Sequence, residues 1–287
     1  TPTTRAIPRR IYSARAAGHP CGRCAGFNER SKARHQHVSM RADEALSKVP
    51  VVTAIFWIEK LCATTLGETA GDLMSMTMHV GYGLSSAILI AMFLVTVVGQ
   101  LAAGRYRPAL YWSVILSTST AGTTMSDYMD RTLGLGYAQG SVLLITILLG
   151  IFACWRLSGY SLAVDNIRTR KVEVLYWTAI LFSNTLGTAL GDYLADDSGL
   201  GFAGGALLIA SLLGVVLAAR FFTPISRVLL FWIAFVLTRP FGATMGDVLT
   251  KGSEHGGLGF GTICSSFVLA SVLVALVGFE IKTRRAS

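Results

Sequence analysis

Charge is scarce in this chain. Only 14% of its 287 residues are Asp, Glu, Lys or Arg, against about 25% in an ordinary soluble domain. Mean hydropathy is +0.55. This balance excludes a soluble globular protein and points to an integral membrane protein whose partner is the lipid bilayer. The net charge of +9 is also unevenly placed: residues 1–50 hold ten Lys or Arg against three Asp or Glu, and the rest hold fifteen against thirteen. The body therefore lacks the basic stripe with interleaved aromatics that would announce nucleic acid. Cysteines number five. Cys62, Cys154 and Cys264 stand singly in apolar segments, as small hydrophobes do, and form no disulfide framework. No nucleophile elbow, zincin pair or Walker loop is present, so the chain is expected to be no enzyme and to need no cofactor.

Residues 1–49 form a basic arm without hydrophobic periodicity, expected to be disordered. It lacks the apolar centre of a signal peptide, and Met40 reads like a natural start. Its Cys21-Gly-Arg-Cys24 with His35 and His37 is a thin basis for zinc.

From residue 50 onward the chain repeats itself. Four times a Trp is followed fifteen residues later by an Asp: Trp57/Asp72, Trp112/Asp127, Trp177/Asp192 and Trp232/Asp247. The copies run over about 50–104, 105–158, 172–223 and 224–282. Each supplies two apolar stretches of membrane-crossing length separated by a Gly-rich turn. The fold class expected is all-α: a polytopic membrane protein of eight transmembrane helices from four parallel two-helix repeats. Two crossings return the chain to its starting side, so all four motifs enter the membrane from one direction. The segments between repeats carry Arg105, Arg107, Arg156, Lys171, Arg220 and Arg227, whereas the opposite turns carry only Arg131 and Lys251 among Asp130, Asp196, Asp197 and Glu254. Loop charge thus sets both termini in the cytoplasm.

Counted from each Trp, position +7 is Thr64, Ser119, Asn184 and Arg239; position +8 is Thr65, Thr120, Thr185 and Pro240; position +11 is Glu68, Thr123, Thr188 and Ala243. On a helix these share a polar face that ends in the Asp at +15. Positions +10 and +14 read small-xxx-small: Gly67/Gly71, Gly122/Ser126, Gly187/Gly191 and Gly242/Gly246. Such pairs let helices pack closely in lipid. Close packing of the four first spans would gather Asp72, Asp127, Asp192, Asp247 and Glu68 around one centre, where five carboxylates cannot all stay ionised and unpaired. Arg239 is one internal countercharge. Lys60 is another, unless it pairs locally with Glu59. The remainder calls for protons or a metal ion, with the four Asp as ligands and Thr65, Thr120, Thr185 and Asn184 as neutral oxygen donors. Alternatively, each Asp lies about 22 Å beyond its Trp, at a helix end in contact with water.

Over residues 50–281 the chain resembles a family of bacterial inner-membrane proteins built from four tandem two-helix repeats of unassigned function. The Trp-to-Asp blocks, GETAGD at 67–72 and SNTLGTALGDYLADDSGLGF at 183–202 carry the resemblance. It implies the fold and a bacterial cytoplasmic membrane. ETAGD at 68–72 is also loosely similar to the Glu-x-Gly-Asp motif of a cation/proton exchanger family, offset by one residue and without the basic residue that follows. The function expected is a secondary transporter of a small cation such as manganese, coupled to protons. The alternative is a membrane scaffold or sensor whose polar faces only join helices.

Overall fold

The computed structural model describes residues 48–164, 167, 169–253 and 256–286. Residues 1–47, with Cys21, Cys24, His35, His37 and most of the basic arm, lie outside the described residues, as does Glu254.

The described residues are all-helical. In chain order the helices are α1 (Ala54–Asp72), α2 (Tyr82–Ala102), α3 (Pro108–Asp127), α4 (Tyr137–Leu157), α5 (Arg170–Asp192), α6 (Gly201–Phe222), α7 (Arg227–Thr250) and α8 (Gly261–Ala286). Local chemistry sets several starts. The Thr53 and Thr169 side chains accept from the backbone N–H of Phe56 and Val172 at the N-termini of α1 and α5. Pro108 opens α3, where its missing N–H costs nothing. Gly81 and Gly136, at φ of +81° and +74°, turn the chain into α2 and α4. Three of the Asp residues end their α-helix and are followed by a five-residue π-helix: Leu73–Thr77, Tyr128–Thr132 and Tyr193–Asp197. The fourth repeat differs, with α7 running on as α-helix past Asp247 to Thr250.

The odd helices make a closed ring, α1 against α3, α3 against α5, α5 against α7 and α7 against α1. Each even helix packs outside the ring, mainly on the first helix of the next repeat: α2 on α3, α4 on α5, α6 on α7 and α8 on α1, with a smaller contact of α8 on α7. The chain thereby laces each repeat to its successor, and α8 laces the last to the first. A single repeat has no partner for its own outer helix, which is why the unit must be multiplied.

The four Trp close one end of the ring. The aromatic residue before each Trp stacks on the Trp of the next repeat: Phe56 on Trp112 at 5.8 Å, Tyr111 on Trp177 at 5.5 Å, Tyr176 on Trp232 at 6.0 Å and Phe231 on Trp57 at 5.7 Å. Such contacts favour edge or tilted geometry. Tyr111 and Tyr176 also share a hydrogen bond between their hydroxyls at 2.7 Å.

Among the described residues, five helices, α2, α4, α6, α7 and α8, are long and apolar enough to cross a membrane. The outer ones leave large apolar side chains uncovered, among them Val95, Leu149, Leu207 and Val274. Helices α1, α3 and α5 fall outside that group by composition, and most of their polar residues are buried.

Candidate functional site

The glycines place the helices at the distance the site needs. A Cβ on Gly67 would stand 2.3 Å from the Cβ of Ser119, and one on Gly122 2.9 Å from that of Asn184. One on Gly187 would stand 2.4 Å from the Cβ of Arg239, and one on Gly242 2.7 Å from that of Thr64. Each +10 glycine thus receives the +7 side chain of the following repeat. One turn on, Gly71 meets Thr123, Gly191 meets Ala243 and Gly246 meets Glu68, each at 2.9 Å. Ser126, the non-glycine of that row, donates its hydroxyl to Asp130 at 3.2 Å.

The ring interior is layered. The +3 layer is Lys60, Ile115, Ile180 and Phe235, all fully buried. Above it the +7 layer is Thr64, Ser119, Asn184 and Arg239, equally buried. Arg239 crosses the centre and touches every other repeat. Its Nη1 donates to the Thr64 carbonyl at 3.2 Å and its Nη2 to the Ser119 carbonyl at 3.2 Å, to Thr188 Oγ1 at 2.8 Å and to Thr123 Oγ1. The same Nη2 is 3.0 Å from Glu68 Oε2. The Thr123 and Thr188 hydroxyls donate to that carboxylate oxygen at 3.2 Å each. Glu68 therefore faces one guanidinium and two hydroxyls, while the buried Arg239 Nε has no hydrogen-bond partner among the described residues.

The four Asp form the last layer. Each is at or near the C-terminal end of its helix, yet all four are buried, with exposures of 2–4%. A carboxylate gains nothing from the helix dipole at that end, so other partners must hold it. Two cations from the turns do so. Arg131 Nε is 3.1 Å from Asp127 Oδ1, and its Nη2 is 3.7 Å from Asp192 Oδ2. Lys251 Nζ is 3.1 Å from Asp72 Oδ2 and 3.4 Å from Asp247 Oδ1. Each cation pairs with the Asp four residues before it and with the Asp of the next repeat, so the ring divides into two bridged halves. For the Lys251 ammonium, burial alone would discourage charge, but Asp72 and then Asp247 outweigh it and hold its proton above the ordinary lysine range. One oxygen each from Glu68, Asp192 and Asp247 lies within 4.8 Å of the other two. Five carboxylates face three cations here, so two negative charges lack a fixed counterpart when all ionise.

Other residues named from the sequence lie apart from this network. The +8 hydroxyls turn back on their own helices: Thr65 donates to the Leu61 carbonyl, Thr120 to those of Leu116 and Ser117, and Thr185 to that of Leu181. Asn184 donates its Nδ2 to Thr118 Oγ1 at 2.9 Å. The oxygens that reach the centre are those of Thr123 and Thr188 instead. Lys60 neither joins the carboxylates nor pairs with Glu59. Its Nζ sits 4.0 Å from the centroid of the Phe235 ring and has no hydrogen-bond partner. Arg131 and Lys251 are site residues that the composition of the turns did not single out, although their spacing of four from Asp127 and Asp247 is visible in the sequence.

Fold and site together define a class: a membrane-type helical bundle of four tandem repeats closed around a buried ring of carboxylates. The four repeats each match the family described as Repeat of Unknown Function (DUF347), at residues 55–106, 110–160, 175–226 and 230–286, and the chain belongs to that family. No curated protein and no solved structure matches it.

Proposed function

We propose that the protein is a secondary transporter that exchanges a small cation, of the class of manganese, magnesium or calcium, for protons. It spans a bacterial cytoplasmic membrane eight times with both termini inside. The reading of eight crossings is supported by the ring: α1, α3 and α5, of 19, 20 and 23 residues, bury their polar faces inside it. The inward termini follow from the basic segments between repeats.

One observation carries the reading. Glu68, Asp192 and Asp247 bring three carboxylate oxygens within 4.8 Å of one another, buried, in a cluster with more carboxylates than cations. Hard oxygen donors favour the cations named above over copper or zinc. Carboxylates must lose their protons to hold a cation, and proton return releases it. That exchange needs no further group. The Trp layer closes one end of the ring, so the carboxylates communicate with the other.

The test is flux in liposomes with metal- and pH-sensitive dyes, using the wild type and a D72N/D127N/D192N/D247N variant. Metal movement with opposed proton movement, lost in the variant, is the expected result. Equal rates in both proteins would sink it. A second reading is favoured by a different observation: Arg239, Arg131 and Lys251 already contact all five carboxylates. A scaffold held together by that network would carry no ion, and its Asn variant would only melt earlier.

A further inference from the structure

The two cations that bridge the Asp ring are not equivalent. Arg131 is held on several sides. Beyond its two carboxylates, its guanidinium lies 6.0 Å from the centroid of the Tyr82 ring and 5.6 Å from that of Tyr137. A planar guanidinium between two rings and two carboxylates is a fixed structural member. Among the described residues, Lys251 has Asp72 and Asp247 as its ion-pair partners. Its ammonium is a compact point charge on a flexible stem, the side chain most like a free hydrated cation. Exposure does not separate the two, at 29% for the Lys251 side chain and 36% for that of Arg131; what separates them is the number and kind of groups that hold each. The backbone below Lys251 is pinned. The Lys251 N–H donates to the Asp247 carbonyl at 2.8 Å, and the Lys251 carbonyl accepts from the Gly259 N–H at 2.8 Å. The stem can therefore swing while its root stays in place.

Asp247 belongs both to the Lys251 bridge and to the group of three oxygens with Glu68 and Asp192. A cation taking those three carboxylates shares Asp247 with Lys251, at 3.4 Å, and Asp192 with Arg131, at the longer distance of 3.7 Å. The repeat that supplies Lys251 is also the one whose first helix lacks the π-helical segment after its Asp.

We propose that Lys251 is a tethered competitor of the transported cation: its ammonium takes the place between Asp72 and Asp247, and a cation enters the site by displacing it at the junction of the fourth and first repeats while Arg131 stays put. This rests on the transport reading and adds to it the entry point and the residue that sets affinity. A tether keeps the displaced amine close, at a high effective concentration. It therefore returns when the cation leaves, and the carboxylates are never left without a partner. Affinity for the cation is then low by construction, which suits release.

The experiment measures Mn2+ binding to purified full-length protein by the loss of the free-ion electron paramagnetic resonance signal. The proteins are the wild type, Lys251→Gln, Lys251→Arg and Arg131→Gln, each checked for a cooperative melt. Lys251→Gln is expected to bind about tenfold tighter, because the competitor is gone. Lys251→Arg is expected to bind more weakly than wild type, because a forked guanidinium holds both carboxylates harder. Arg131→Gln, which removes the same charge, is expected to gain much less. Equal tightening in Lys251→Gln and Arg131→Gln would reduce the effect to net charge and overturn the proposal, as would Lys251→Gln binding like wild type. Neither result touches the cation reading. No Mn2+ binding by any of the four proteins would overturn both. Should Lys251→Gln fail to fold, the weaker binding of Lys251→Arg decides alone.

Discussion

Arg239 of the fourth repeat reaches Glu68 of the first at 3.0 Å, across the middle of the ring and with neither group exposed beyond 4%. The contact joins the two ends of the repeat series and makes the ring a closed object. Removing one partner of a buried pair leaves the other charge uncompensated, at a cost of about 3–5 kcal/mol. Arg239→Met is therefore expected to lower the melting temperature in detergent sharply. Glu68→Gln should cost less, since the Thr123 and Thr188 hydroxyls and the guanidinium can still bond a neutral amide oxygen. Equal melting of Arg239→Met and wild type would mean that the pair does not close the ring.

The glycine stripe makes a sharper contrast. Gly187 leaves no room for a methyl group, since its Cβ would stand 2.2 Å from Arg239 Cγ, whereas a Cβ at Gly150 meets nothing within 4 Å. Gly187→Ala should push α5 from α7, costing about 1–3 kcal/mol as overpacking does. Gly150→Ala, on an uncovered helix face, should be neutral or stabilise by up to about 1 kcal/mol from helix propensity. Thermal melts of the two variants side by side check this. Similar losses in both would show that the inner glycines are not close-packed.

Much of this architecture is legible in the sequence because each repeat copies one solution. The Trp-to-Asp spacing marks the inner helices, and small-xxx-small marks where they touch. The period does not tell which repeat receives which side chain. That Gly67 accepts Ser119 and Gly242 accepts Thr64 depends on the hand and closure of the ring. Nor does it show that α2 packs on α3 rather than on α1. At the site, a helical rotation of about 60° decides between donors. The +8 hydroxyls of Thr65, Thr120 and Thr185 fall back onto carbonyls of their own helices, while the +11 hydroxyls of Thr123 and Thr188 reach Glu68. Arg131 and Lys251 read as turn charges because charge in a turn is ordinarily solvated. What turns them inward is the unmet charge of the Asp ring, which becomes visible only once the four helices are assembled.

Lys60 gives the opposite expectation to Arg239. It stands in the apolar +3 layer with Ile115, Ile180 and Phe235, fully buried, and its amine has no hydrogen-bond partner. A buried polar group without a partner costs about 1–3 kcal/mol in protein mutational data. Lys60→Met keeps the length and the contact with Phe235 while removing that group. The variant should melt higher than wild type. A lower melting temperature would show that the amine contributes a favourable interaction, and would make Lys60 part of the working site.

Asp130 offers a pH signature outside the eight α-helices. It lies in the π-helix after Asp127, and a Cβ on Gly140 would stand 2.0 Å from its Oδ1. Burial raises its carboxyl from 3.8 to about 6, against smaller opposing effects of the Ser126 hydroxyl and Arg131. A carboxyl with a raised value binds its proton more tightly in the folded state than in the unfolded one. Between pH 4 and pH 6 the folded protein thus holds more of this proton, and stability falls as pH rises through that window. Asp130→Asn removes the titration and keeps the shape. Melting temperatures of the two proteins, taken at intervals from pH 4 to pH 8, should diverge in favour of the variant as pH climbs and run parallel above pH 7. A constant offset across the whole range would mean that the Asp130 carboxyl is solvated, and that Gly140 does not press α4 against the turn.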